Sequence, residues 1–265
     1  MLPPDLTPTS KSRITLRGVS GKDVLVPYLS IGAWSWGDKA TFNYNPTRDL
    51  PRIHAAWAKL KAVGLTFVDT AQSYGDGESE RICGTLFKDI PRDSFVAGGP
   101  KSKLKDSFLR LQLDYVDIYL VHGPIHPTDE LAKHNVPRSV CQCEYSIRNI
   151  CFHGFASLAE GRLSGKYLRF NEPQRKRRFS SYPMHLLEPT IKVLKSIAEE
   201  RRVPGPAVAL NYSIKKGVLS LVGARDAGQA EQDMQMLGWR LAEDEMNQIE
   251  GVSLQGNRSS FMQHG

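Results

Sequence analysis

The 265-residue sequence predicts an α/β protein built from parallel βα units. Three observations carry that reading. Apolar runs rich in β-branched and aromatic residues alternate with amphipathic stretches, the pattern of strand, crossover helix and returning parallel strand. The length lies near the ~250 residues of a (β/α)8 barrel, and 40% hydrophobic with 24% charged residues fits one globular domain, 1–265, with a sizeable core. No G-x-G-x-x-G turn is present, so the signal of a Rossmann dinucleotide domain is missing.

In chain order, the predicted strands are Leu25–Gly32, Thr66–Asp69, Ser94–Ala97, Val116–His122, Ser139–Tyr145, Phe152–Leu158 and Val218–Val222, each a short apolar run. The amphipathic stretches predict helices over Leu50–Val63, Glu78–Asp89, Lys101–Leu111, His185–Arg202, Ala207–Lys216, Ala227–Leu237 and Glu243–Ile249. Helix signals are clearest late in the chain, where Pro204 and Pro206 bracket a start and Gly217 marks a stop. No internal repeat or low-complexity linker interrupts the pattern.

The charge balance excludes some function classes. A net charge of +7 suits anionic ligands, and part of the excess lies in Arg175-Lys176-Arg177-Arg178. That run reads as a solvated loop rather than a nucleic-acid patch, because no interleaving of basic and aromatic residues accompanies it elsewhere. Cys141, Cys143 and Cys151 lack the C-x2-C spacing of a zinc unit and are read as reduced thiols, so no metal is expected. No apolar run reaches the ~20 residues of a membrane span, and Met1 to Arg13 lacks the core of a secretory signal. An intracellular, cytoplasmic location is expected, with an organelle transit leader as the alternative.

The most informative stretch is Phe67-Val68-Asp69-Thr70-Ala71-Gln72-Ser73-Tyr74-Gly75 followed by Glu78-Ser79-Glu80. It sets a carboxylate at a strand end and a tyrosine five residues later on the loop entering a helix, which is where barrel enzymes keep their chemistry. A phenol with its pKa of ~10 needs retuning to serve as an acid near neutrality, so the pair reads as a proton-donor site. His122 ends the run Ile118-Tyr119-Leu120-Val121, Gly161-Arg162-Leu163-Ser164-Gly165-Lys166-Tyr167 forms a glycine-bounded loop, and Gly223-Ala224-Arg225 lies between a strand and a helix where a phosphate can be received.

In this order the four segments closely resemble the aldo-keto reductases, NADPH-dependent carbonyl reductases on a (β/α)8 barrel. The resemblance implies that NADPH gives a hydride to a small aldehyde or ketone, that Tyr74 gives the proton, that Asp69 sustains an Asp-Lys-Tyr network in which an ammonium lowers the tyrosine pKa, and that His122 orients the carbonyl. Direct alignment puts Gly99 where the family has lysine, leaving Lys101 as the candidate and Lys103 as the alternative. For the cofactor, the resemblance assigns Gln142 to the nicotinamide amide and Phe155 to the ring stack. Leu163, Gly165 and Lys166 cover the pyrophosphate, Gly223, Ala224 and Arg225 hold the adenosine phosphate, and Gln229 contacts adenine. Asp233 stands where the family commonly has asparagine, removing a donor and adding a charge. Arg225 favours NADP over NAD. Trp34 and Trp36 are placed as walls of the substrate pocket or as core.

The same comparison predicts an incomplete barrel. Seven strands are found where eight are needed, no strand with a Ser-Asn pair follows His122, and the link from Tyr145 to Phe152 is too short for a crossover helix. About one strand and two or more helices are absent. The alternative reading is therefore a cofactor-binding relative or shortened product without catalysis.

Overall fold

The computed structural model describes residues 7–17, 23–100, 104–120, 151–167 and 184–254. The chain first forms a hairpin, β1 (Arg13–Leu16) against β2 (Val24–Pro27), antiparallel with Arg13 opposite Pro27 and Leu16 opposite Val24. The sequence reading ran β2 on into β3 (Leu29–Gly32) as one strand. The chain bends at Tyr28 instead, directly after Pro27, whose missing N–H cannot extend a ladder. Arg13 donates from Nη2 to the Gly64 carbonyl at 2.9 Å and Gly238 donates to the Pro8 carbonyl at 2.7 Å. Gly64 precedes a sheet strand, so this N-terminal segment lies against the strands' N-terminal ends.

Six strands make one parallel sheet: β3, β4 (Phe67–Asp69), β5 (Val96–Pro100), β6 (Ile118–Leu120), β7 (Phe152–Gly154) and β8 (Val218–Val222). Their order is β6-β5-β4-β3-β8-β7. Apart from β6 and β7, which take the two edges, consecutive strands are sheet neighbours, and the first parallel strand pairs with the last, Leu29 opposite Ser220 and Ile31 opposite Val222. That cyclic order belongs to a cylinder rather than to a doubly wound sheet. The sheet also curls. Ser30 on β3 and His153 on β7 meet at 2.5 Å between Oγ and Nε2, although β8 lies between their strands.

Helices clothe the outside. Helix α1 (Lys39–Phe42) is a single turn and α2 (Pro46–Ala62) follows it. Asn45 caps α2 through the Arg48 amide and Pro46 takes the first position, where no N–H is needed, so the helix starts four residues before the predicted Leu50. It buries Ile53, Ala56, Trp57 and Leu60, one face at the spacing i, i+3, i+4, i+7. Helix α3 (Glu78–Phe87) packs on α4 (Leu104–Leu111) so closely that a Cβ at Gly84 would meet the Arg110 carbonyl oxygen at 2.6 Å. Trp57, Phe87 and Phe95 stack in series with centroids 5.7 and 4.3 Å apart, joining α2, α3 and the entrance to β5.

On the other side α5 (Met184–Arg201), α6 (Gly205–Lys215) and α8 (Glu243–Val252) enclose a second cluster centred on Leu194, Ile197, Val208, Leu241 and Met246. Arg201 holds Glu245 with both guanidinium branches, at 2.6 and 2.5 Å. Helix α7 (Ala227–Met234) lies on α2 through ion pairs of Arg52 with Asp226 and Lys59 with Glu231.

Two predicted strands change extent. β5 begins at Val96 because Arg92–Ser94 form a 3-10 turn. β7 stops at Gly154 because Ala156 (φ 53°), Ala159 (48°) and Glu160 (57°) take left-handed backbone that no strand accommodates. The predicted strand Ser139–Tyr145 and the basic run Arg175–Arg178 lie outside the described residues. No helix among the described residues is long and apolar enough to cross a membrane.

Candidate active site

Parallel strands bring their C-terminal ends to one rim. The loops leaving β3, β4, β7 and β8 place Trp34, Tyr74, Phe155 and Arg225 there. Asp69 is the last residue of β4 and shares a face with Phe67, since alternate strand residues point the same way. Phe67 stacks on the His153 ring, so Asp69 projects into the barrel one layer above that contact. It is 7% exposed, and burial pushes its carboxyl up to about 7.

Tyr74 follows on the turn closed by its amide bond to the Ala71 carbonyl at 3.0 Å. Its ring stacks on Trp34 with centroids 5.8 Å apart and planes at 26°. Burial raises its phenol pKa, and the nearby Asp69 carboxylate raises it further. This direction is opposite to the lowering that the Asp-Lys-Tyr network calls for. In the sheet register Gly98 stands opposite Asp69, so that position of β5 carries no side chain. Lys101, Lys103, His122 and Gln142 lie outside the described residues.

The Glu78-Ser79-Glu80 segment anchors the tyrosine loop. The Ser79 hydroxyl donates to the Ala33 carbonyl at 2.8 Å and is bonded to the Thr70 hydroxyl, also at 2.8 Å, tying the starts of α3 and of both loops together. Glu80, buried, pairs with Arg110 of α4. Gly75, at φ +58°, lets the loop touch the one after β3: a Cβ there would sit 2.5 Å from the Gly37 carbonyl.

Trp36 proves to be core rather than a wall. It is fully buried and donates from Nε1 to the Ala224 carbonyl at 2.9 Å. Trp34 is half-buried and donates to Asp38 Oδ2 at 2.6 Å. Phe155, 54% exposed, stands just past the end of β7 at the same rim.

The phosphate segment is assembled with one change from the sequence reading. The Arg225 amide donates to Gln229 Oε1 at 3.0 Å, and the Gln229 amide to Asp226 Oδ1 at 2.9 Å. Both amides are thus satisfied inside the chain, and the Arg225 guanidinium lies 5.7 Å from the Phe42 ring and 3.5 Å from the Phe42 carbonyl oxygen. Gln229, expected on adenine, spends its oxygen here. Asp233 is 3% exposed, its Oδ2 lacks a partner, and burial raises its pKa well above the usual carboxylate range.

In the pyrophosphate segment Leu163 packs against α5, Gly165 turns the chain at φ +73° and Lys166 is exposed. Arg162, 4% exposed, donates to the Ala159 carbonyl at 3.4 Å and to Glu160 Oε2 at 3.1 Å, clamping the three consecutive left-handed residues Ala159, Glu160 and Gly161. Sequence reasoning passed over Arg162, Asp38 and Phe42. Asp38 was findable from its capping distance to Thr41, whereas nothing local marks Phe42.

The aldo/keto reductase family model matches residues 28–98 and 130–254, well over half of the chain. The chain belongs to the aldo-keto reductase family. The match omits 99–129, the stretch with Lys101 and His122. Among curated aldo-keto reductase relatives, a chloroplastic pyridoxal reductase of Arabidopsis thaliana is 24% identical, covering 87% of this chain and 84% of its own. That alignment spans 310 positions, more than the whole chain, so tens of the relative's residues have no counterpart here. A glycerol dehydrogenase from Gluconobacter oxydans superposes with a TM-score of 0.72 at 18% identity, over 92% of this chain and 95% of its own. Another aldo-keto reductase, solved with NADPH, gives 0.63 at 14% identity over 91% and 88%. These likenesses establish the (β/α)8 fold of the family for this chain.

Proposed function

We propose that the chain is an NADPH-dependent reductase of small aldehydes or ketones, with Tyr74 as the proton donor. The observation that carries this reading is the meeting of Asp69, Tyr74 and Trp34 at the sheet rim, beside the Arg225 segment at the next strand but one. The cofactor fits what is present. A Cβ added at Gly223 would meet nothing nearer than the Gly32 carbonyl oxygen at 4.0 Å, so the backbone there can be approached closely, and Arg225 supplies a fixed positive charge for the 2′-phosphate.

NADPH, when bound, supplies the hydride. The chain's part is to hold and protonate. Arg225 fixes the adenosine end by a charge-assisted pair, and the exposed Phe155 ring offers a face on which a nicotinamide can lie. Trp34 restricts Tyr74 by stacking, so the phenol meets the substrate oxygen in one orientation. The phenol gives its proton to that oxygen as negative charge develops there, and a partly dry pocket strengthens the interaction. A nearby ammonium must offset the upward push of burial and Asp69 on the phenol, the role given to Lys101.

A second reading, cofactor binding without turnover, is favoured by the Asp69–Gly98 register. The deciding measurement is NADPH oxidation over a panel of small aldehydes and ketones. The native chain should turn over at least one, and Tyr74→Phe should lower that rate ~10²- to 10⁴-fold. Tight NADPH binding with no turnover of any of them supports the second reading, and an unchanged rate in Tyr74→Phe removes the first.

A further inference from the structure

The loop between β3 and α2 spans the site from one end to the other. Since β3 lies between β4 and β8, its loop runs between the tyrosine loop and the Arg225 segment. Its side chains touch both. Tyr74 stacks on Trp34; Trp34 meets Phe42 edge to face, centroids 5.2 Å apart at 87°; and the Arg225 guanidinium lies 5.7 Å from the Phe42 ring centre. Three consecutive contacts of this kind join the proton donor to the anion-recognising arginine.

The loop is braced internally. Asp38, 7% exposed, accepts the Trp34 indole N–H on Oδ2 at 2.6 Å and the Thr41 amide on Oδ1 at 2.8 Å. Its carbonyl also takes the Phe42 and Tyr44 amides, each at 3.3 Å. One aspartate thus fixes both aromatic rings relative to each other. Trp36 clips the loop to Ala224, and Gly37 lies against Gly75.

We propose that Trp34 and Phe42 are positioning residues that couple recognition of an adenosine 2′-phosphate at Arg225 to the placement of Tyr74. This rests on the NADP reading above. An anion competes with the Phe42 ring and carbonyl for the guanidinium, and its binding shifts that balance. A rigid loop passes that shift to Trp34, and stacking passes it to the phenol. Neither Trp34 nor Phe42 needs to touch the reacting atoms for this.

Adenosine 2′,5′-bisphosphate tests the coupling, because it carries the phosphorylated adenosine and no nicotinamide. Binding is followed by calorimetry and, separately, by tryptophan emission. The native chain should bind it and change its emission, adenosine 5′-monophosphate should not produce the change, and Trp34→Phe should abolish it while binding persists. Phe42→Leu, which removes a competitor for the guanidinium, should tighten bisphosphate binding roughly two- to tenfold and lose the emission change, whereas Phe42→Tyr, which keeps the ring, should retain the native affinity and the change. A full emission change in Phe42→Leu, or bisphosphate binding to the native chain with no change, overturns the coupling while leaving the NADP reading standing. Failure of the native chain to bind either the bisphosphate or NADPH overturns that reading and the coupling together.

Discussion

Phe67 and His153 stack their rings 5.4 Å apart and 25° from parallel, although β3 and β8 lie between their strands in the sheet. A flat sheet would hold them about three strand spacings, roughly 14 Å, apart. Their contact therefore reports curvature toward a closed interior. It also places an imidazole there, whose pKa burial lowers to about 4.

Asp69 and His153 give opposite pH dependences to stability. The Asp69 carboxyl rises from 3.8 unfolded to about 7 folded, so its contribution is fully present below about pH 4 and is lost as pH rises toward 7. The imidazole falls from 6.5 to about 4, so its contribution is present above about pH 6.5 and is lost as pH falls toward 4. Each spans roughly 3 to 4 kcal/mol, and the two nearly cancel. Denaturant unfolding of Asp69→Asn should show stability increasing with pH across this window, and His153→Phe should show it decreasing. Parallel profiles for the two variants would contradict the assignment.

Arg225 should set cofactor preference. A guanidinium–phosphate pair is worth about 1.5 to 3 kcal/mol, so NADPH should bind roughly ten- to a hundredfold more tightly than NADH. Arg225→Ala should remove most of that difference and leave NADH binding nearly unchanged, as read by fluorescence titration. Equal affinities in the native chain would remove the NADP preference.

Gly75 and Gly217 both have positive φ, but only Gly75 is crowded. A methyl at Gly75 would meet Gly37 backbone at 2.5 Å, while one at Gly217 meets nothing within 4 Å. Gly217→Ala should cost only the backbone strain, about 1 to 2 kcal/mol. Gly75→Ala should cost more and also depress turnover, since it pushes the Tyr74 loop off the Trp34 loop. Equal unfolding free energies would show that the two loops are not in contact.

Lysine substitution locates the cation. Lys101 is the first charged residue after β5, the strand that pairs with β4 at Asp69. Lys101→Met should lower turnover about as much as Tyr74→Phe and move the upper limb of the pH–rate profile, whereas Lys103→Met should leave both near native. The reverse pattern would transfer the role to Lys103.

Much of this architecture was legible in the sequence. β8 matches its predicted bounds and α5, α6 and α3 lie within two residues of theirs, because strong apolar periodicity and capping prolines or glycines fix them. The β1–β2 hairpin was missed because β1 is short and half exposed, with a single buried residue, Ile14. β7 was drawn too long because apolar composition cannot reveal the left-handed turn at Ala156. Within the site, the Asp69 and Tyr74 pairing was legible from spacing, whereas the Gly98 partner of Asp69 depends on register and the raised pKa of Asp233 depends on burial. Neither is a property of local sequence.

The ties among Pro8, Gly238, β3 and β8 also bear on how the chain acquires its shape. β3 cannot pair with β8, nor the opening segment reach Gly238, until almost the entire polypeptide has left the ribosome. Contacts this distant in sequence slow folding and leave early strands waiting with unpaired edges. During synthesis β3 and β4 can associate, yet β3 keeps an unpaired edge until residues 218–222 arrive. The period of greatest vulnerability to aggregation therefore falls before translation ends, and chaperone demand should track translation speed through the final third of the message.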